Sequence, residues 1–464
     1  MASLPGKTYK PYDPKQSFLL PPSLDDWVPA DHLARFVSEM IDDLDLSTIL
    51  EYYEDETRGQ PPYHPVMMTK VLVYGYCVGV RSSRKLAQAV EDQVAFRYLA
   101  AGSMPAHNTT SEFRRIHLGS LEGVFEQVLH LASRSGLLRL GTVTIDGTKI
   151  QGNASLQATK SHRDLRKEDQ SLRQVARKIL EDAERIDREE DALYGPENTP
   201  YGLPKELADA KTRRAKIRKA LEDMKQENRE RFDREQREHE EHVAKRERHE
   251  QQSGKKLRGR KPKPPVKRID PEMKRNTTDH DSRIMKTRNG YVQGYNAQAA
   301  VDVESLLIVA RSVTKDENDT QQSVPMLEQV RQSTGQYPVK AVYDAGYWNE
   351  AMLRNVPDDV DVYVATVKDH KQRRALRDTP SPRGRIPKGL TFKARMERKL
   401  RTKTGKETYA LRGQTVEPRF GIIKEQQGVR RFLLRGLEKV GGEWSLVAVA
   451  HNINRLWRIK ASMG

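Results

Sequence analysis

The chain has 464 residues, enough for one to three domains with a sizeable core. Its 82 Lys and Arg outnumber its 65 Asp and Glu, and the net charge of +17 favours a polyanionic partner, most often a nucleic acid. The single cysteine, Cys77, excludes an intrachain disulfide framework and a zinc–cysteine cluster. No apolar signal segment and no apolar run of about 20 residues occurs, which predicts a soluble, cytoplasmic protein.

In chain order, residues 1–30 are predicted to be an extended, proline-rich arm. Apolar residues then recur at helical spacing, which predicts an all-helical domain over 31–138, with Asp31 as the cap of its first helix.

The segments 139–158 and 271–464 have a different pattern, rich in β-branched residues. A helix is predicted over DTQQSVPMLEQVRQSTG, with Asp319 as its cap and Gln322 at the capping-box position. A basic loop to about residue 404 and two final helices follow. Strands are predicted at TVTIDGTKI and at 291–302, 306–314, 339–347 and 360–367. This order predicts an α/β ribonuclease-H-like fold, a mixed sheet with helices packed on it.

The segment 159–270 interrupts that fold and concentrates the charge. Between 161 and 270, 31 residues are basic and 25 acidic, so 56 of 110 are charged. A seven-residue apolar spacing predicts a coiled-coil seam on one helix; it comprises Leu165, Leu172, Ile179, Ile186 and Leu193. A second helix, about 70 Å long, is predicted from residue 205 to 252. The segment is interpreted as a long helical-hairpin insertion ending in a basic linker, either a solvated hairpin or an arm that clamps DNA or dimerises.

Three carboxylates are candidates for a metal-dependent site. Asp146 lies within an apolar strand, where a carboxylate is costly unless it is paired or binds a cation. Asp344 ends a strand, and Glu417 precedes a proline and is predicted to cap a helix start. Asp344 and Glu417 are also consistent with turn and cap roles. Asp302 is a rival, although its place at a hairpin turn favours a structural role.

Phosphate-binding groups surround Glu417. Tyr409, Arg412 and Lys424 are candidates to hold a DNA backbone against the carboxylates, and Lys424 lies seven residues after Glu417 on the same helix face. The alternative is an amphipathic helix with a basic exposed side.

Seven stretches resemble the DDE transposases of bacterial insertion sequences, closest to the insertion sequence 1182 group with a DUF772-type N-terminal domain. They cover residues 18–457 in the order of that family: FLLPPSLDDWVPADHLARFV, YHPVMMTKVLVYGY, TIDGTKIQGNAS, MKTRNGYVQGYNAQAAVD, VYDAGYW, VEPRFGIIK and AHNINRLW.

The resemblance implies a ribonuclease-H-like catalytic domain whose triad is Asp146, Asp344 and Glu417, holding two Mg²⁺ or Mn²⁺ ions. The Tyr–Arg–Glu–Lys signature of the family falls on Tyr409, Arg412, Glu417 and Lys424. Four residues separate Arg412 from Glu417, where the commonest related pattern has three.

The resemblance also implies that the N-terminal helical domain binds the terminal inverted repeats of the element. SSRKLAQAVEDQ and MPAHNTTSEFRRIH are similar to a helix-turn-helix, in which Ser111, Arg114 and Arg115 face DNA. Without the resemblance, the residues themselves favour a generic helical bundle. In the basic linker, RGRKP resembles an AT-hook core, with Arg258 and Arg260 in the minor groove; a flexible basic linker is the alternative.

The leading hypothesis is therefore a transposase that cleaves insertion-sequence ends and transfers the strand into target DNA, as a homodimer on double-stranded DNA. Two alternatives stay open. One is a ribonuclease-H-like nuclease without strand transfer, and the other is a DNA-binding protein with a decayed catalytic domain.

Overall fold

The structure, a computed structural model, describes residues 23–54, 61–194, 205–254, 259, 262–287, 289–384, 387 and 389–463. Most of the predicted arm, the turn before the second long helix, and the hook residues Arg258 and Arg260 lie outside the described residues. None of the described helices is long and apolar enough to cross a bilayer.

The N-terminal region is helical, and its central helix, α4 (Pro65–Cys77), is buried beneath shorter neighbouring helices. His64 caps α4 and Pro65 occupies its first turn, where the missing N–H costs nothing. The first long helix is capped by His32, whose Nδ1 accepts from the backbone N–H of Ala34 at 3.1 Å, and not by Asp31 as predicted. The helices are α1 (Leu24–Trp27), α2 (Leu33–Asp42), α3 (Ser47–Leu50), α4 (Pro65–Cys77), α5 (Ser83–Asp92), α6 (Val94–Leu99), α7 (His107–Ile116) and α8 (Leu118–Arg134).

A mixed sheet follows. Its strands are β1 (Thr142–Gln151), β4 (Arg283–Thr287), β5 (Gly290–Asp302), β6 (Ile308–Thr314), β7 (Lys340–Tyr343) and β8 (Asp361–Val364). β5 is antiparallel to β1, β4 and β6, while β1, β7 and β8 run parallel to one another. Along the sheet β5, β1, β7 and β8 follow one another, and both β4 and β6 pair with β5; the order β6-β5-β1-β7-β8 is the one predicted for a ribonuclease-H-like sheet. Two short strands, β2 (Thr159–Ser161) and β3 (Lys274–Asn276), pair separately.

Two long helices, α9 (His162–Tyr194) and α10 (Lys205–Ser253), leave the sheet region between β2 and β3. Their small apolar core lies at the base of the pair, where Leu165 packs with Ile217, Ala220 and Met224. Farther along α9, the side chain of Val175 is 45% exposed. Leu172, the next residue of the predicted seam, packs against this core, and the side chains of Ile186 and Leu193 lie outside the described part.

Seven helices complete the chain: α11 (Ser323–Thr334), α12 (Glu350–Asn355), α13 (Asp369–Asp378), α14 (Phe392–Arg401), α15 (Lys403–Ala410), α16 (Val416–Glu425) and α17 (Leu437–Met463). The basic loop predicted before residue 404 contains α13 and α14, because Lys and Arg are good helix formers and a few apolar residues such as Leu376 and Leu400 anchor them. α17 is buried along much of its length and packs on β6, α4 and α8.

Candidate active site

The sheet register brings two of the candidate aspartates together. In the parallel pairing of β1 with β7, Ile145 lies opposite Tyr343. Each is followed directly by an aspartate, so Asp146 and Asp344 lie side by side at the carboxyl end of β7. Asp344 is held by its own loop, because its Oδ1 accepts from the backbone N–H of Gly346 at 2.8 Å and begins a short 3-10 turn.

Glu417 reaches the same place from α16. Thr415, just before the helix, bonds side chain to side chain with Thr144 of β1 at 2.7 Å, which fixes the start of α16 against the strand. Glu417 lies in the first turn, inside the helix rather than at its cap, because α16 begins at Val416. Its side chain is 41% exposed, more than those of the two aspartates.

The guanidinium of Arg412 lies among these carboxylates and is 7% exposed. Its Nη2 is 2.9 Å from an oxygen of Asp146 and 4.0 Å from one of Asp344. Its Nη1 is 3.3 Å from Glu417 and 3.2 Å from a further acid, Asp369. Burial opposes the charge on Arg412, but Asp146 and Asp344 raise its pKa above the ordinary arginine value. One cation therefore joins all three predicted catalytic acids.

Tyr409 and Arg412 were predicted to contact DNA, and the structure directs both toward acids. Tyr409 is buried and its hydroxyl donates to Asp369 at 3.0 Å, the same oxygen that Arg412 contacts. Arg373 adds a more exposed bridge, 2.7 Å from Asp369 and 3.0 Å from Glu417. Asp369 and Arg373 thus belong to the site although sequence reasoning missed them; an acid at the start of a basic segment was the available signal.

Lys424 lies on α16 beside β1. Its Nζ donates to Thr148 Oγ1 at 2.5 Å. Burial and the neighbouring Arg430 lower the pKa of this ammonium group. Thr148 therefore holds the Lys424 ammonium group on the same strand as Asp146. The remaining N–H donors of that group are available to a phosphate oxygen.

The two aspartates are not fully compensated by Arg412. Burial raises the pKa of Asp146 from 3.8 to about 6, with Asp344 adding repulsion and Arg412 opposing both. Burial likewise raises the pKa of Asp344, and the negative charges of Asp319 and Asp369 contribute. A buried acid pair that still resists ionisation beside an arginine has capacity for more positive charge.

Asp319 also differs from its predicted role. It does not cap α11, which begins at Ser323 with Gln322 as its N-cap. Its Oδ1 accepts from Asn296 Nδ2 at 2.6 Å and Gln298 Nε2 at 2.7 Å. A Cβ placed on Gly346 would meet Asp319 Oδ2 at 3.4 Å and Asp344 Oδ1 at 3.0 Å, so both acids border this glycine.

Asp302 has the structural role that its hairpin position favoured. It is fully buried at the end of β5, opposite Val143 of β1. Its Oδ2 accepts from the backbone N–H of Ser305 at 2.9 Å and from the hydroxyl at 2.7 Å, which shapes the turn into β6.

The donor set has the chemistry of a hard-cation site, because it consists of carboxylate oxygens. Within the described residues, no group of three or more His, Cys, Asp and Glu side chains is arranged to hold a metal ion. Arg412 takes the central position among these acids. Burial raises the pKa of Asp146, so additional positive charge beside it would favour its ionised form.

In the helical region, the predicted helix-turn-helix has a third helix, α6, between α5 and α7. Ser111 and Arg115 are exposed, and Arg115 pairs with Glu112 on the same helix. Arg114 differs from the prediction, because it is buried and its Nη1 donates to the backbone oxygen of Arg81 at 2.9 Å. This arginine fixes the helix internally and does not face the surface.

Comparison with known proteins matches two parts of the chain to protein families. Residues 22–115 match a transposase domain (DUF772), and residues 385–457 match a transposase DDE domain. The second match includes Arg412, Glu417 and Lys424, whereas Asp146 and Asp344 lie outside both. No curated protein and no solved structure matches the chain.

Proposed function

The chain is a DDE transposase, an enzyme of the polynucleotidyl transferase type, and from that premise we propose that it cleaves DNA at insertion-sequence ends and transfers the freed strand into target DNA. The observation that carries the proposal is the convergence of Asp146, Asp344 and Glu417 on the guanidinium of Arg412. Such convergence of acids from two strands and a helix is costly for stability and suits a site that acts on a charged substrate.

DDE transposases generally use divalent metal ions. In this proposal Asp146, Asp344 and Glu417 would hold two Mg²⁺ or Mn²⁺ ions, which would activate the attacking hydroxyl or water and stabilise the leaving oxygen. Arg412 is close enough to all three acids to keep them together before DNA arrives. Its release from Asp146 frees an oxygen of that carboxylate for a ligand and makes the guanidinium available to a phosphate.

The chain supplies further phosphate contacts around these acids. Arg373 is 52% exposed and bridges Glu417 and Asp369, so it lies at the mouth of the site. Together with Lys406, Tyr409 and Arg412 it lines a cavity of about 250 Å³. We assign to this basic cavity the role of positioning a DNA backbone against the acids, because arginine matches phosphate oxygens with paired N–H donors.

Recognition of the terminal inverted repeats is assigned to the N-terminal helices, with Ser111 and Arg115 on α7 as exposed contacts. Arg258 and Arg260 in the basic linker remain proposed minor-groove contacts. Two element ends must be brought together during transposition, so we propose a homodimer on DNA, to which the exposed α9 and α10 pair could contribute an arm.

The test is the Asp344→Asn variant with double-stranded DNA carrying the element end. It is expected to bind this DNA like wild type but not to nick it with Mg²⁺, because the substitution removes a ligand charge and changes no backbone. Asp359→Asn, an exposed aspartate in the loop before β8, is the matched control and should cleave normally. Cleavage retained in Asp344→Asn would refute the site assignment.

A second readout separates transposition from its rivals. Wild-type protein, cut element end and a target plasmid should yield a joined product. Cleavage without joining would favour a ribonuclease-H-like nuclease, and binding without nicking under any divalent ion would favour a DNA-binding protein with a decayed site.

A further inference from the structure

A second group of arginines lies on the side of α16 that faces away from Glu417. Arg419 is two residues after Glu417, which turns its side chain by about 200° around the helix axis. On α17, His451, Arg455 and Arg458 are spaced by four and three residues and so share one face. The helices meet here, because Arg458 Nη2 donates at 3.3 Å to Gln426, which lies seven residues beyond Arg419.

Three guanidinium groups lie between α16 and α17 without an acid beside them. Among the described residues, Arg419, Arg455 and Arg458 form no ion pair with a carboxylate. Other arginines of the catalytic region, such as Arg373 and Arg412, each contact two or more acids. The three arginines therefore form a basic cluster without a counter-charge, unlike Arg373 and Arg412.

The cluster is partly removed from water, which makes the missing counter-charge costly. The Nε of Arg419 and the Nε2 of His451 are buried and have no hydrogen-bond partner. Burial and the neighbouring guanidiniums lower the pKa values of Arg419 and Arg455. Burial and the same three arginines lower the pKa of His451 to about 3, so this 3%-exposed imidazole stays neutral at pH 7.

Two of the three arginines are nevertheless held in place by hydrogen bonds. Arg455 Nε donates to the backbone oxygen of Ser305 at 2.9 Å, in the turn that leads into β6. Arg458 is tied to Gln426 and is the most exposed of the three. An anion entering from the Arg458 side would find preoriented N–H donors and would need to displace no carboxylate.

We propose that Arg419, Arg455 and Arg458 form a phosphate-binding site that holds the DNA backbone on the outer side of α16. The inference rests on the proposed function, because it takes DNA as the polyanion that this enzyme binds. A phosphodiester supplies the missing negative charge, and arginine binds it with paired donors. The site is separate from the cavity at Arg373, and it extends the DNA path from the acids across α16 to α17.

The test uses the full chain with the variants Arg419→Gln, Arg458→Gln and their combination. Binding of an element-end duplex is measured by fluorescence anisotropy in EDTA over a range of NaCl concentrations. Each lost phosphate contact should reduce the slope of log affinity against log salt by about 0.9. The combined variant should therefore lose about 1 to 2 in slope.

Lys460→Gln is the matched control. It removes one positive charge from the same helix, but Lys460 already pairs with Glu39 at 3.3 Å. Its salt slope should equal that of wild type. Melting temperatures without DNA should be unchanged or higher in the arginine variants, since repulsion is relieved; if the combined variant does not fold, the exposed Arg458→Gln alone is decisive.

An unchanged salt slope in the folded arginine variants overturns the inference, and so does an equal fall in slope in Lys460→Gln. Stabilisation of wild type by inorganic phosphate with an unchanged DNA slope would identify a small-anion site and also overturn it. If wild type cleaves and joins DNA while the slopes are unchanged, the inference fails and the proposed function stands. If wild type binds no DNA, both fail.

Discussion

Replacing Asp146 with asparagine should stabilise the protein while abolishing cleavage. Burial raises the pKa of Asp146 from 3.8 to about 6 in spite of Arg412 at 2.9 Å. One pH unit in pKa corresponds to about 1.4 kcal/mol, so the ionised carboxylate costs about 3 kcal/mol in the folded protein. The side chain is 13% exposed, so solvent screening removes little of this.

The direction in which stability changes with pH follows from the number of protons that the folded and unfolded chains bind. Between about pH 4 and pH 6 the folded chain holds the proton of Asp146 while the unfolded chain has lost it, so stability falls as pH rises and the penalty persists above pH 6. Asp146→Asn carries no charge at any pH. Its free energy of unfolding should equal that of wild type near pH 4 and exceed it by up to about 3 kcal/mol at pH 7.

The assay is urea unfolding in EDTA from pH 4 to pH 8, with DNA nicking measured in parallel. Glu304→Gln is the control, since Glu304 is an exposed acid in the turn after β5; its difference from wild type should stay within about 0.5 kcal/mol at every pH. The reasoning would be refuted if Asp146→Asn were less stable than wild type at pH 7. It would also be refuted if the difference between their free energies of unfolding did not change with pH.

Two further predictions concern the neighbours of these acids. Asp319→Asn removes a negative charge that helps burial to raise the pKa of Asp344, so the acid limb of the cleavage rate should move to lower pH, whereas the exposed Glu317→Gln should leave it in place. Gly147→Ala would put a Cβ 2.6 Å from Asp319 Oδ1. It should lower the free energy of unfolding by about 1–3 kcal/mol and abolish cleavage. Gly123→Ala, in open space on α8, should instead be neutral or slightly stabilising.

The sequence predicted the candidate acids better than the groups around them. Asp146 and Asp344 follow from a polar residue in or just after an apolar strand, a pattern that needs no tertiary information. Asp369 and Asp319 do not follow an apolar strand in this way. Each lies in a segment whose local pattern favours helix capping or a basic loop, and only packing brings it to the acids.

The helical spacing around Arg114 indicates its burial. Thr110, Phe113, Arg114 and His117 have the spacing of one helix face, and all four are buried. An arginine on that face is more consistent with an internal contact than with DNA. Charge alone is therefore a weak guide to orientation when the apolar positions of the same helix are known.

By itself, the sequence determined the order of the five main strands, the concentration of charge in one inserted segment, and the identity of the candidate acids, because periodicity and residue type are local properties. It did not indicate the short strands β2, β3 and β4 or the helices α13 and α14. Tertiary structure alone decided that Arg412 joins those acids, that Asp369 and Asp319 border them, and that Arg419 meets Arg455 and Arg458 without a counter-charge. These contacts join residues far apart in the chain, and their geometry depends on how α16 packs against β1 and α17.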